Sequence, residues 1–124
     1  MKIETLRGKV AVITGAGSGF GREFARIAAA EGMALVLVDV QADALAETVT
    51  ELDGTDILHR ALDVTDGAAM DVLAADAFAR FGAVHLLFNN AGVGSTGLMW
   101  EATTRDWEWV LGVNLWGTIH GVRA

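Results

Sequence analysis

Short apolar runs rich in β-branched residues alternate along the chain with longer stretches whose apolar positions recur at helical spacing. Lys9-Val10-Ala11-Val12-Ile13-Thr14 reads as a first strand. It runs into glycines at positions 15, 17, 19 and 21, where a helix is predicted from about Phe20 to Glu31. That helix carries Phe24, Ile27 and Ala28 on one face and stops at Gly32. Ala34–Asp39 is apolar up to its last residue, as expected of a strand covered on both faces. Asp43–Leu52 predicts the next helix, Asp53-Gly54 a turn, and Ile57–Leu62 a weaker strand interrupted by His59 and Arg60. Asp66 is placed to cap a helix that reaches about Phe81 and stops at Gly82. Val84–Phe88 predicts a fourth strand, and Asn90–Thr103 a loop with glycines at 92, 94 and 97. A last helix begins near Thr103 or Thr104 and still continues at Ala124.

The order β-α-β-α-β-α-β-α predicts an α/β fold, a parallel sheet with helices on both faces. At 124 residues, 52% apolar and 20% charged, the chain suits one domain spanning residues 1–124 and excludes a disordered one. There is no Cys, which excludes disulfides and thiolate metal sites. Sixteen acidic and 9 basic residues leave a net charge of −7, which argues against nucleic-acid binding. No apolar run approaches the length of a signal peptide core or a membrane span, so a cytoplasmic protein is expected. His59, His85 and His120 show no ligand spacing and are read as structural or surface residues; no metal site is expected.

The chemistry concentrates in the glycine loop. After Gly15 and Gly17, the common GxGxxG spacing fails at Phe20, whereas GxxxGxG fits Gly15, Gly19 and Gly21. Glycines let a backbone turn tightly and approach a pyrophosphate, and a helix N-terminus offers unpaired N–H groups to the anion. Asp39, at the end of the second strand, is placed to accept hydrogen bonds from both ribose hydroxyls and to repel a 2′-phosphate. Arg22 and Arg26 are read either as phosphate contacts or as solvated helix residues.

Taken together, these residues resemble the short-chain dehydrogenase/reductase family. Its TGxxxGxG signature matches Thr14–Gly21, with Phe20 where the family usually carries Ile or Leu. Its Asp-Val after the third strand matches Asp63-Val64, its Asn-Asn-Ala-Gly matches Asn89–Gly92, and its fourth-helix Asn matches Asn114. The resemblance implies a Rossmann-like sheet in the order 3-2-1-4, truncated before the fifth strand. It implies NAD as cofactor, held by Gly15, Ser18, Gly19, Phe20, Gly21, Asp39, Asp63, Val64, Asn90, Ala91 and Gly92. Asp63 and Val64 would contact adenine, and Asn90, Ala91 and Gly92 would lie beside the nicotinamide ribose.

The family's general acid/base is a Tyr in a Tyr-x-x-x-Lys segment. This chain has no Tyr, and its only lysines are Lys2 and Lys9. Of the family's catalytic set Asn114 remains, where the resemblance implies a water held in a proton relay. The chain therefore reads as the NAD-binding part of an oxidoreductase acting on a small alcohol or carbonyl substrate, inactive by itself. A non-catalytic nucleotide-binding module is the alternative. A methyltransferase shares the glycine loop and the acid, but the Asn-Asn-Ala-Gly and Asn114 motifs count against it. In the last helix, Trp107, Leu111, Asn114, Thr118 and Val122 share one face and Trp109, Val113 and Trp116 the other. Apolar character all round predicts burial on both sides, and the resemblance implies that one side packs on the sheet and the other against a second subunit. A homo-oligomer is expected.

Overall fold

The computed structural model describes residues 5–124. Four strands, β1 (Val10–Thr14), β2 (Ala34–Asp39), β3 (Ile57–Ala61) and β4 (Leu86–Phe88), form one parallel sheet in the order β3-β2-β1-β4. Helices α1 (Gly19–Ala30), α2 (Ala42–Glu51) and α3 (Gly67–Phe81) join them. The expected order 3-2-1-4 is the observed one.

Period-two alternation in the central strands explains the layers. Ala11, Ile13, Leu35 and Leu37 point to one face, where Ala25 and Ala28 of α1 and Leu45 of α2 complete a buried cluster. Val10, Val12, Val36 and Val38 point to the other, against Met70, Leu73 and Ala77 of α3. Strands buried on both faces have no polar side to show, hence their unbroken apolar runs. β3 lies at the sheet's edge, and its exposed His59 and Arg60 account for its weak signal.

β4 is shorter than the expected Val84–Phe88. His85 still donates its N–H to the Val10 carbonyl at 2.9 Å. Its ring Nδ1, rather than a backbone carbonyl, accepts the Val10 N–H at 3.0 Å. A side chain thus replaces the ladder at that point, and regular pairing starts one residue later, at Ala11 with Leu86.

The loop read across Asn90–Thr103 contains a 3₁₀ turn at Met99–Glu101. The last helix departs further from expectation. It consists of α4 (Thr104–Leu111), a wide π-helical turn (Gly112–Trp116) and α5 (Gly117–Arg123). The π turn breaks the 3.6-residue register on which the two predicted faces rest. Val113 packs against the α3-side cluster, and Gly117 is buried where an added Cβ would lie 2.6 Å from Val64 Cγ2. Trp107, Leu111 and Val122 on one predicted face, and Trp109 and Trp116 on the other, are all exposed. Within this one chain neither predicted face is buried as a whole; Val113 and Gly117 of this helix pack inward against the α3 side. Among the described residues, no helix is long and apolar enough to cross a membrane.

Candidate functional site: a cleft at the strand ends

A cleft of about 500 Å³ opens beyond the C-terminal ends of the strands. In open parallel sheets this is where ligands bind, next to the point where strand order reverses. Here the reversal falls between β1 and β4. Of the sequence-predicted residues, the cleft brings together Gly15, Ser18, Gly19, Phe20, Asp39, Asp63, Val64, Asn90, Ala91 and Gly92.

Gly21 lies behind the cleft wall rather than on it. A Cβ there would sit 2.0 Å from the Gly15 carbonyl oxygen, so only glycine lets α1 pack under the loop. Gly19 has φ +52° and open space around it, a left-handed position at the first residue of α1. Ser18, the residue before α1, makes no side-chain cap. The N–H groups of Gly19, Phe20 and Gly21 have no carbonyl to meet within the helix, and no acid stands in this first turn. The positive end of the helix is thus left open toward the cleft.

The loop after β4 is locked to the loop after β1. Thr14, almost fully buried, accepts the N–H of Asn90 at 3.1 Å and of Ala91 at 3.0 Å on its Oγ1. Asn90 Nδ2 donates in return to the Thr14 carbonyl at 3.0 Å. Thr14 was legible only as part of a signature; a hydroxyl closing an otherwise apolar strand is the signal of its separate role.

Asp39 accepts the Gly17 N–H at 2.9 Å on one oxygen and the Gln41 N–H at 2.9 Å on the other. A carboxylate has about four lone-pair positions, so acceptor capacity remains on both oxygens. Asp63 accepts the Thr65 N–H at 2.9 Å, which fixes the turn after β3. Phe20 is 79% exposed, with its ring stacked on Phe24 at 6.2 Å and Phe24 on the half-buried Phe88 at 5.1 Å. Trp109 and Val113 also reach the cleft, a contribution the helical spacing did not reveal.

Asn114 does not line this cleft. It faces an adjoining recess of about 420 Å³, which shares Val93 with the cleft. Its Oδ1 accepts the Val93 N–H at 2.8 Å and its Nδ2 donates to the Val93 carbonyl at 2.8 Å. Both polar atoms of the side chain thus hold backbone, as a neighbouring strand would, and the residue sits in the π turn. Neither arginine of α1 is free for a phosphate. Arg22 turns toward α2, and Arg26 pairs with Glu51 at 2.5 Å and Glu23 at 3.1 Å. The hydrogen bond with Glu51 raises the Arg26 pKa above its ordinary value and lowers that of Glu51. His120 Nδ1 lies 2.9 Å from the Val64 carbonyl and holds it as a donor. Among the described residues, no group of His, Asp or Glu side chains has the arrangement of a metal site.

An open helix terminus, a glycine-lined approach and a nearby carboxylate form a donor-and-acceptor set that fits a dinucleotide. The comparisons agree. A family model described as short chain dehydrogenase matches residues 9–124.

The chain belongs to the short chain dehydrogenase family.

A short-chain dehydrogenase/reductase from Burkholderia phymatum, solved in complex with NAD, is 54% identical with a TM-score of 0.94. That match covers 98% of this chain and 44% of the other. The CLA biosynthesis dehydrogenase/reductase of Lactiplantibacillus plantarum is 38% identical over 123 residues, covering 98% of this chain and 43% of its own length. The 2-dehydro-3-deoxy-L-rhamnonate dehydrogenase (NAD(+)) of a Sphingomonas species is 40% identical over 114 residues, 91% of this chain and 45% of its own. The chain spans somewhat less than half the length of these family members.

Proposed function

We propose that this chain is the NAD-binding part of an oxidoreductase that moves a hydride between nicotinamide and an alcohol or carbonyl carbon. The observation that carries the reading is the cleft in which the uncapped N-terminus of α1 faces the same space as the Asp39 carboxylate. The N–H groups of Gly19 and Phe20 would hold the pyrophosphate, with the Ser18 hydroxyl, free of any capping bond, beside them. Gly15 and Gly21 let backbone approach closely enough for this. Asp39 would accept from the ribose hydroxyls on the lone pairs that Gly17 and Gln41 leave open. Asp63 and Val64 would flank adenine, and Asn90, Ala91 and Gly92 the nicotinamide ribose. The bound dinucleotide supplies the hydride acceptor or donor.

Asn114 would act by fixing the backbone at Val93, at the border between the cleft and the adjoining recess. The chain has no Tyr, the general acid/base of the family, and the isolated 124 residues are expected to be inactive. We further propose a cytoplasmic homo-oligomer. Support for the oligomer is the exposed apolar side chains of α4 and the π turn, Trp109 and Trp116 among them.

Calorimetric titration with NAD+ and NADP+ tests the reading. A 2′-phosphate would meet the Asp39 carboxylate as a like charge, at a cost of about 1–3 kcal/mol. Tighter binding of NAD+ is expected; equal or tighter binding of NADP+ would overturn it.

A further inference from the structure

Gly17 is the glycine of the loop that the GxxxGxG spacing leaves without a role. In the structure its peptide groups are gripped from two sides. Its N–H donates to Asp39 Oδ2 at 2.9 Å, and its carbonyl accepts from Arg22 Nη2 at 2.7 Å. Arg22 is itself anchored on α2: Nη2 also donates to the Ala44 carbonyl at 3.2 Å, and Nε to Thr48 Oγ1 at 3.0 Å. The carboxylates of Glu47 and Glu51 lie 3.1 and 3.5 Å from the same guanidinium. Thr48 is fully buried and donates its hydroxyl hydrogen to the Ala16 carbonyl at 2.9 Å. The loop is thereby stapled to α2 through two consecutive carbonyls, those of Ala16 and Gly17.

The staple bears on Asp39. A Cβ at residue 17 would lie 2.8 Å from Asp39 Oδ2 and 3.1 Å from Ala44 Cβ, so the carboxylate occupies the space a side chain would take. With Gln41 holding the other oxygen, the carboxylate has one orientation, set by the backbone of Gly17 and by whatever holds that backbone. Arg22 is the charged group that does so, and its planar fork suits a site that needs several donors in fixed directions.

We propose that Gly17 and Arg22 are positioning residues for cofactor selectivity. They hold the Asp39 carboxylate in the orientation that distinguishes a free ribose 2′-hydroxyl from a 2′-phosphate, although neither touches the ribose. The proposal rests on the reading of the cleft as an NAD site.

The test is the ratio of the NADP+ and NAD+ dissociation constants, measured by calorimetry in the intact protein and in two variants. A wild type without preference for NAD+ overturns the reading of the cleft, and the proposal with it. Where the preference is present, Gly17→Ala is expected to cut the ratio about tenfold, the scale of one lost hydrogen bond to a charged group. Arg22→Lys keeps the charge but not the fork and is expected to cut it about threefold. A change that only loosens the fold weakens both cofactors together and leaves the ratio alone. An unchanged ratio in Arg22→Lys overturns the proposal while leaving the cleft reading intact, and this variant decides the matter if Gly17→Ala does not fold.

Discussion

Helices α1 and α4 begin in opposite ways. At α4, Thr103 Oγ1 accepts the Asp106 N–H at 3.2 Å, and the Asp106 carboxylate accepts the Thr103 N–H at 2.8 Å. This reciprocal pair closes the helix end with the molecule's own groups. α3 does the same with one bond, from the Ala69 N–H to the Asp66 carboxylate at 3.0 Å. At α1 a residue with an equally suitable hydroxyl, Ser18, makes no such bond, and the first turn holds no acid. An N-cap typically stabilises by about 1 kcal/mol, so leaving one unmade costs stability. α2 also lacks a side-chain cap, but its first turn carries Asp43. Among α1–α4 only α1 has neither a cap nor an acid in its first turn, and its terminus faces the cleft lined by Asp39 and Asn90.

The largest expected effect comes from disturbing what holds the open terminus in place. Gly21→Val puts a side chain into the Gly15 carbonyl, 2.0 Å from the new Cβ. Overpacking usually costs about 1–3 kcal/mol. Here the obstacle is backbone, so loss of the cooperative unfolding transition in a denaturant titration is expected.

Next comes closing the terminus artificially. Ser18→Asp places a carboxylate at the open end of α1, where it favours the helix by about 0.5–1 kcal/mol. The same charge repels a pyrophosphate, and NAD+ affinity is expected to fall by about tenfold or more. Melting temperature rising while affinity falls would be the signature; both rising together would refute the contrast between the termini.

Opening a closed terminus should have the reverse profile. Asp66→Ala is expected to lower unfolding free energy by about 1 kcal/mol and leave the NAD+ dissociation constant unchanged.

The smallest effect is that of pH on the α4 cap. Hydrogen bonds from Thr103, first its side chain and then its backbone, hold the Asp106 pKa below the ordinary carboxylate value. A lowered folded-state pKa contributes stability above the unfolded value that is lost as pH falls through the folded one. Amide exchange at Asp106 and Trp107 is therefore expected to speed up in acid, below the usual carboxylate range, relative to its intrinsic rate. The N–H groups of Phe20 and Gly21 at the start of α1, which has no titrating cap, should show no such step.

Most elements were legible because the signals that specify them are local. β2 is predicted and observed at Ala34–Asp39, since an apolar run ending in an acid needs only its own residues to be read. α3 is bounded by Asp66 and Gly82 in both, because a cap and a left-handed stop act within one turn. The loop glycines likewise announced a close backbone approach. Less legible was β4, whose N-terminal pairing depends on a histidine ring accepting from another strand. Least legible was the last helix, where a π turn around Asn114 shifts every side chain that follows.

The amino-acid sequence by itself determined the order of elements, the parallel sheet and the residues that meet at its C-terminal edge. It does so because periodicity, capping and glycine spacing act over a few residues. Only the tertiary structure decided how those residues are used. Asp39 grips Gly17 across 22 positions, Arg22 reaches Thr48 across 26, and Asn114 holds Val93 across 21. The sequence around each of these side chains permits other partners; the partner is chosen only once packed strands and helices bring one donor or acceptor within hydrogen-bond reach and exclude water from the rest.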